Sequence, residues 1–356
     1  MANVLGYDIG GANTKAAFVR TKKGNLKEVK LAVEYFPVWK HPEKLTSVLL
    51  KLKERLGADR LDDLGVTMTA ELSDAYQTKR EGVHQVLTSV KKAFPNLPIQ
   101  VLNSDTKLES IDKAELAPLL VAAANWAATG WLVGLSIVDG VVVDVGSTSA
   151  SIIPILAGKV AAKGKTDLDK LICGELVYTG SLRTNVAAIV QSIPVKSGVA
   201  GVASELFALS ADVHLILGNI TERQYDYETA DGRGKTVPES LARLARVVCA
   251  DTEMLTTQEI VGMAKYIYDR QVTQVAEGLL KVYSYVKKQT NNEVSVVVTG
   301  LGKDFIARKA AEKIGAEPIV DLGTFLPDEV SMATPAFAVA LMTASKFEGE
   351  TINWMR

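Results

Sequence analysis

The feature that most restricts what this chain can fold into is a short acidic turn that occurs twice. Residues 4–19, VLGYDIGGANTKAAFV, read as a strand, a glycine turn and a second strand. Residues 141–155, VVVDVGSTSASIIPI, repeat the plan at a constant offset of 136: Asp144 stands for Asp8, Gly146 for Gly10, Ser147 for Gly11, Thr148 for Ala12 and Ser149 for Asn13. A further turn follows each pair, TKKGN in one case and LAGK in the other. Repetition at this level of detail predicts a duplicated domain plan. In both copies the glycines join two strands, whereas a dinucleotide fingerprint or a P-loop runs from strand through glycines into a helix.

Such a turn suits a phosphate group and its metal ion, because glycine lets backbone N–H groups close round an anion while Asp coordinates a hard cation. Asp8 and Asp144 are therefore the metal candidates, for Mg²⁺, on the expectation that facing turns bring both carboxylates to one ion. Gly10, Gly11, Asn13, Thr14, Gly146, Ser147, Thr148 and Ser149 are the phosphate-binding candidates, although ordinary turn chemistry selects similar residues. A third glycine segment, NNEVSVVVTGLGKDFIARKAAEKIG at 291–315, does lead from strand to helix. Gly300 and Gly302 are expected there to expose amides to a phosphate or the edge of a nucleotide-like ring.

The rest of the first third reads βββαβαβα: EVKLAVEYFPV as a third strand, an amphipathic helix on Leu45, Val48, Leu49, Leu52 and Leu56, then LGVTMTA as strand, VHQVLTSVKKAF as helix and PIQVLN as strand. IDKAELAPLLVAAANWAA is expected as one helix, capped at Gly130 and followed by a β-branched strand. The charge-free run Leu116–Val138 approaches the roughly 20 residues of a membrane span, but Asn125, Thr129, Gly130 and Gly134 interrupt it, so no span is expected. SMATPAFAVALMTASKF closes the chain as an apolar helix with Pro335 in its first turn. The expected division is 1–135 and 136–330, each with one phosphate hairpin, and a C-terminal helix 331–356 packing back toward the first domain.

Composition narrows the function. Forty Lys and Arg against forty-one Asp and Glu offer no field for nucleic acid or acidic membranes. Cys173 and Cys249 lie outside any CxxC pair, which suggests neither a disulfide framework nor a structural zinc site. With no basic, apolar leader before Asp8, a cytoplasmic protein is expected. His41, His84 and His214 show no paired spacing and are expected to be structural or exposed; Trp126 is expected in the core.

The two Asp-Gly hairpins, the VVVTGLG turn and the small-residue closing helix together resemble the sugar kinase, Hsp70 and actin superfamily. That resemblance implies an α/β chain with two ribonuclease-H-like domains facing a central cleft. MTAELSDAYQTKREGV, AAANWAATG, GELVYTGSLRTNV, ASELFALSADVHLILG, ETADGR and RLARVVCAD, taken with DIGGANTK and DVGSTSASIIPI, are similar to the hydantoinase/oxoprolinase-related archaeal family that includes the methanofuran-biosynthesis synthase. Membership implies that an (aminomethyl)furan-methyl diphosphate is joined to the phenol oxygen of γ-glutamyltyramine, giving an ether and diphosphate. The implied partners are these small molecules, with no nucleic acid and no membrane; a homodimer stays open. Two alternatives remain as enzymes, an ATP-dependent small-molecule kinase, for which alone ATP is the cofactor, and an ATP-dependent hydantoin- or oxoproline-cleaving enzyme. A nucleotide-gated binding protein ranks third.

For the synthase reaction Lys15 would neutralise the leaving diphosphate, unless it points to solvent. Arg183, in TGSLRT, would grip phosphate or the glutamyl carboxylate, with a domain-closing salt bridge as its structural alternative. Thr179 and Ser181 beside it, and Asp231 with Arg233 in TADGRG, are the substrate-binding candidates. A base for the phenol proton is not singled out: Asp212, Glu205 and Asp231 are the available carboxylates, and Asp212, carried as the catalytic choice, sits with Glu205 in an apolar run that suits a structural hydrogen bond equally well.

Overall fold

The computed structural model describes residues 1–326, 330 and 333–354. The chain forms two compact units, one of Met1–Gly140, Ile153–Ile172 and Leu322–Arg356, the other of Val141–Ile152 and Cys173–Asp321.

In the first unit β1 (Ala2–Ile9), β2 (Asn13–Lys22) and β3 (Asn25–Tyr35) form an antiparallel meander. After α1 (Leu45–Arg55), β4 (Asp63–Met68) returns parallel to β1. After α2 (Lys79–Ala93), β5 (Ile99–Leu102) lies parallel to β4, and the short β6 (Leu108–Ser110) pairs antiparallel with β5. The sheet order is β3-β2-β1-β4-β5-β6. The central strand β1 reads as a nearly continuous apolar run because both its faces are covered. Leu5, Tyr7, Ile9 and Phe18 meet Leu45, Leu49, Leu52, Val83, Val86 and Leu87 from α1 and α2 in one core.

On the opposite face Gly6 of β1 pairs in register with Gly65 of β4. The closing helix Thr334–Glu348 rests on that pair, with Ala336 and Ala340 against Gly6 and Val339 against Gly65. Its small residues thus serve close approach of helix to sheet, and Pro335 occupies its first turn as expected. Ser331 and Met332, which open that apolar stretch, lie outside the described residues.

The stretch expected as one helix before the second acidic turn is three: α3 (Ile111–Leu116), α4 (Pro118–Val121) and α5 (Asn125–Gly134). Pro118 forces the first break by turning Ala117 out of the helical region, and Ala123, with φ of 49°, makes the second. Gly130 is no cap, and no strand follows it directly. It lies inside α5, where a side chain would strike Val160 and Ile153, and Gly134 one turn on faces the Gly158 carbonyl. The two glycines form a bare stripe that admits a neighbouring hairpin. Among the described residues no helix is long and apolar enough to cross a membrane.

The second sheet begins with β7 (Gly140–Val145) and β8 (Ala150–Leu156), beside which lies the two-residue β9 (Lys159–Val160). Then come α6 (Asp167–Cys173), β10 (Leu176–Val177), α7 (Val186–Ile189) and a separate hairpin of β11 (Ser192–Val195) and β12 (Gly198–Gly201). Three further helices follow, α8 (Ser210–Ile216), α9 (Val237–Arg246) and the 33-residue α10 (Thr257–Gln289). β13 (Ser295–Thr299) and β14 (Ile319–Asp321) complete the sheet, with α11 (Arg308–Lys313) between them in the chain. The order β10-β8-β7-β13-β14 repeats β3-β2-β1-β4-β5 strand for strand. The repeat seen in twelve or so residues of sequence is therefore a repeat of sheet topology.

Candidate functional site

Both acidic turns close through the same hydrogen bond. The Gly10 N–H donates to the Asn13 carbonyl at 3.0 Å, and the Gly146 N–H donates to the Ser149 carbonyl, also at 3.0 Å. The residue after each Asp anchors the segment beyond the adjacent parallel strand: Ile9 O accepts from Thr69 N at 2.9 Å and Val145 O from Gly302 N at 2.9 Å. Offsets of 136 thus hold in hydrogen bonding as well as in sequence.

In the second unit a loop is laid against the turn from one side. The Ser181 N–H donates to Gly146 O at 2.9 Å, and the N–H groups of Leu182 and Arg183 both donate to Ser147 O at 3.0 Å. Gly180 is required there, since a Cβ would sit 2.5 Å from the Thr148 carbonyl carbon. Nη1 of Arg183 donates to Oγ1 of Thr148 at 3.1 Å. The Gly146 and Ser147 carbonyls are thereby taken up, while the N–H groups of Ser147 and Thr148 donate to no backbone carbonyl among the described residues. That combination leaves donors for an anion.

Gly300 and Gly302 act differently from the expectation. Gly302 N is bound to Val145 O, Lys303 N to Gly300 O at 3.2 Å, and the helix opens with a π turn at Lys303–Ala307. A side chain on Gly300, whose φ is 86°, would strike Val145 O at 2.5 Å and Asp144 Oδ1 at 2.6 Å. These glycines seat the acidic turn, and the Gly302 amide is committed within the protein.

In the first unit Asp8 is buried and lies opposite Lys15 on β2 and beside Thr67 on β4, so the three share one sheet face. Lys15 is half-buried. Position 151, where the offset puts the counterpart of Lys15, is Ser151, so only the first turn carries a lysine. Thr14 is wholly buried on the face of β2 shared with Ala16 and Phe18, its hydroxyl without a hydrogen-bond partner. The half-buried Gly10, Gly11 and Asn13 remain at the surface of the turn.

Asp212 is not available to take a proton from a ligand. It is wholly buried and accepts from Nε of Arg243 at 2.8 Å, from Ser240 Oγ at 3.0 Å, from Tyr225 Oη at 3.3 Å and from Leu209 N at 2.9 Å. Burial raises its affinity for a proton, and the Arg243 bonds oppose that. Arg243 reaches on to Asp231 at 3.1 Å, which also accepts from Arg246 at 3.0 Å. Desolvation works against ionised Asp231, but the bonds from Arg246, the Arg233 backbone and Arg243 hold its carboxyl below the usual range. Asp231 thereby ties down the loop 225–234, on which Arg233 is exposed. Glu205 is exposed.

Thr179 is held by the protein too. His214 is buried, donates from Nε2 to Gln271 Oε1 at 2.9 Å and accepts at Nδ1 from Asn219 at 3.1 Å. Gln271 then donates to Thr179 Oγ1 and to Gly180 O, both at 2.8 Å. The chain of bonds fixes the loop that carries Ser181 and Arg183. Desolvation pushes the His214 imidazole down to about 4, so it stays neutral. Ser181 is wholly buried beside Gly302. His41 is exposed and His84 half-buried, while Trp126 is buried with the Lys170 ammonium 4.0 Å from its ring centroid.

A hollow of about 310 Å³ opens beside Thr148 and Arg183, its further wall formed by Tyr178, Leu206, Tyr227 and Glu228. The Arg183 guanidinium lies 4.7 Å from the Tyr227 ring centroid. Sequence reasoning missed these walls, although Tyr178 directly precedes TGSLRT; of the two tyrosines in YDYE, Tyr225 is buried and Tyr227 lines the hollow. It also missed Glu71, which is 1% exposed with neither carboxylate oxygen completing a hydrogen bond.

Among the described residues no three His, Cys, Asp or Glu side chains gather as a metal-ligand group. Mg²⁺ takes one or two carboxylates and fills its shell with phosphate oxygens and water, and an acidic turn with open amides is compatible with that.

The hydantoinase/oxoprolinase family model matches residues 63–346. The (4-{4-[2-(γ-L-glutamylamino)ethyl]phenoxymethyl}furan-2-yl)methanamine synthase of Methanocaldococcus jannaschii is 37% identical over 97% of this chain and 98% of its own. The enzyme of that name from Methanococcus vannielii is 33% identical over 59% of this chain and 93% of its own. Among solved structures, a nucleotide-free acetone carboxylase aligns with 96% of this chain and 70% of its own at 11% identity and a TM-score of 0.58, a likeness of fold. The fold is the mixed α/β plan of the sugar kinase, Hsp70 and actin type.

Proposed function

The chain belongs to the hydantoinase/oxoprolinase family, and on that premise we propose that it is the ether-forming synthase of methanofuran biosynthesis. It condenses a (5-aminomethyl-3-furyl)methyl diphosphate with γ-glutamyltyramine. The observation that carries this reading is the 37% identity to a synthase of that name along nearly the full length of both chains.

The site geometry is compatible with the chemistry. The phenol oxygen forms a bond to the furan methylene carbon while the bond from that carbon to diphosphate breaks, and diphosphate keeps the electron pair. An electron-rich furan stabilises positive charge on the methylene, so no covalent enzyme intermediate is needed. Catalysis is then positioning and charge neutralisation. The open N–H groups of Ser147 and Thr148 are suited to diphosphate oxygens, with Arg183 alongside. Asp144 would hold Mg²⁺, with Asp8 as the corresponding carboxylate of the first unit and Lys15 opposite it. Bound there, the ion would neutralise charge on the leaving group. Arg183 and Ser181 are retained for binding; Asp212 and Thr179 are assigned to structure.

The test is direct. Purified protein, Mg²⁺, γ-glutamyltyramine and the furan diphosphate are incubated, and the ether and diphosphate are sought by mass spectrometry. Stoichiometric appearance of both supports the reading. Their absence, with ADP formed from ATP and a metabolite hydroxyl instead, would replace it with a kinase.

A further inference from the structure

We propose that the hollow walled by Tyr178, Leu206, Tyr227 and Glu228 is the binding site for the phenolic acceptor, with the phenol oxygen at its Arg183 end. This rests on the synthase reading and adds to it where the second substrate lies and which way it points.

Three observations fix the orientation. First, Arg183 joins the hollow to the phosphate turn, being bonded to Thr148 at 3.1 Å while its guanidinium lies 4.7 Å from the Tyr227 ring. A nucleophile must meet the carbon that carries diphosphate, so the phenol oxygen belongs at that end. Second, the walls suit an aryl group. Tyr178 is 60% exposed and Leu206 53% exposed, and both line the same concavity as Tyr227. An aromatic ring covered by tyrosine and leucine gains burial and edge or face contacts. Third, the hollow has one carboxylate in its wall, Glu228. It offers a complement to the α-ammonium of the glutamyl tail, which leaves the ring on the side away from the phenol oxygen. A volume of about 310 Å³ holds a phenol with its ethylamide arm.

The step balances without a dedicated carboxylate base. Arg183 favours the phenol oxygen as it becomes negative. The C–O bond forms as the ester C–O bond breaks, and the phenol proton passes to the departing diphosphate, which is a stronger base once it no longer carries the ester carbon. This accounts for a site in which Asp212 is sealed away by Arg243.

The experiment is two-substrate steady-state kinetics on Tyr178→Ala, Leu206→Ser and Glu228→Gln, all at exposed positions whose replacement leaves the core intact. Tyr178→Ala and Leu206→Ser are expected to raise the acceptor KM about tenfold and to leave the donor KM within twofold. Glu228→Gln should weaken γ-glutamyltyramine and leave N-acetyltyramine unchanged, since the latter has no ammonium. Calorimetric titration of wild type and variants with γ-glutamyltyramine alone should reproduce the KM changes as Kd changes. If wild type makes the ether and all three variants keep the wild-type acceptor KM and Kd, the pocket assignment is wrong. If the donor KM rises instead, the hollow belongs to the furan half and the orientation is overturned. If wild type makes no ether, the synthase reading falls, whereas retained, variant-sensitive binding of γ-glutamyltyramine would still support the subsite.

Discussion

Glu71→Gln should make the first unit more stable, by an amount that grows with pH. Glu71 follows β4, where its backbone packs on Gly82 of α2 so closely that no side chain fits at that position. Burial raises its carboxyl from an ordinary 4.5 to about 7; its own N–H, Lys79 and the Ala123 N–H work against that rise and Asp167 adds to it. At about 1.4 kcal/mol per pH unit, carrying the ionised form costs roughly 3 kcal/mol. The folded state binds more protons than the unfolded state between pH 4.5 and 7. Stability contributed at Glu71 is therefore present in acid, declines as pH rises through that window and is lost above it. Gln has the shape of the protonated acid and no titration. Its advantage over wild type should be about 1 kcal/mol at pH 5 and about 3 kcal/mol at pH 8.

The assay is provided by the sequence. All four tryptophans, Trp39, Trp126, Trp131 and Trp354, belong to the first unit, so tryptophan fluorescence reports that unit alone during urea unfolding. Wild type and Glu71→Gln would be unfolded at pH 5 and pH 8, and the difference in midpoint compared. An advantage that does not widen between the two conditions would refute the reasoning, because it would mean that the carboxylate finds compensation when ionised.

Three other outcomes follow from particular contacts. Gly6→Ala should destabilise the first unit by about 2–3 kcal/mol, since its Cβ would run into the Ala336 carbonyl and lie 2.7 Å from Ala340 N, both backbone atoms that cannot turn aside; the tryptophan signal again reads it. His214, held down to about 4, gives stability that is complete above pH 6.5 and is lost as pH falls through about 4, at a cost of roughly 3 kcal/mol; circular dichroism, which sees both units, should show an earlier acid transition than tryptophan fluorescence, and a His214→Phe variant should lose that pH dependence. Gly300→Ala should reduce kcat by more than tenfold in folded protein, because the new methyl displaces the Asp144 carboxylate; full activity would remove Asp144 from the site.

The acidic turns were legible because their requirements are local. A carboxylate, a residue free to take any backbone angle and two flanking strands are all sequence neighbours, and the second copy supplied an internal control. What escaped was assembled from distant segments. Tyr178, Leu206 and Tyr227 meet at one hollow although 49 positions separate the first from the last, and Gln271 reaches Gly180 from the middle of α10. Gly130 reads as a helix cap and Gly134 as a break in an apolar run, since nothing in the residues around them reveals that a hairpin passes close by. Asp212 reads in sequence as a candidate base because its partner, Arg243, is 31 residues away.

The same contrast explains how one turn came to have two characters. Gly10–Asn13 and Gly146–Ser149 close at equal length, and Ile9 and Val145 anchor equivalent strand ends. The turn backbone is the same in both units, while most side chains around it differ. Around it the two units differ: the first puts Lys15 opposite Asp8, while the second has Ser151 there and receives its cation from outside the hairpin, as Arg183 on a loop braced by Gln271 and His214. A lysine fixed in a strand can only supply charge where the strand points. An arginine on a braced loop can bond the turn and lie over Tyr227 together, which brings the turn and an aromatic wall within one side chain's reach. On the proposed reaction, joining a diphosphate-bearing carbon to a phenol requires that adjacency, which the loop supplies and the duplicated turn alone does not.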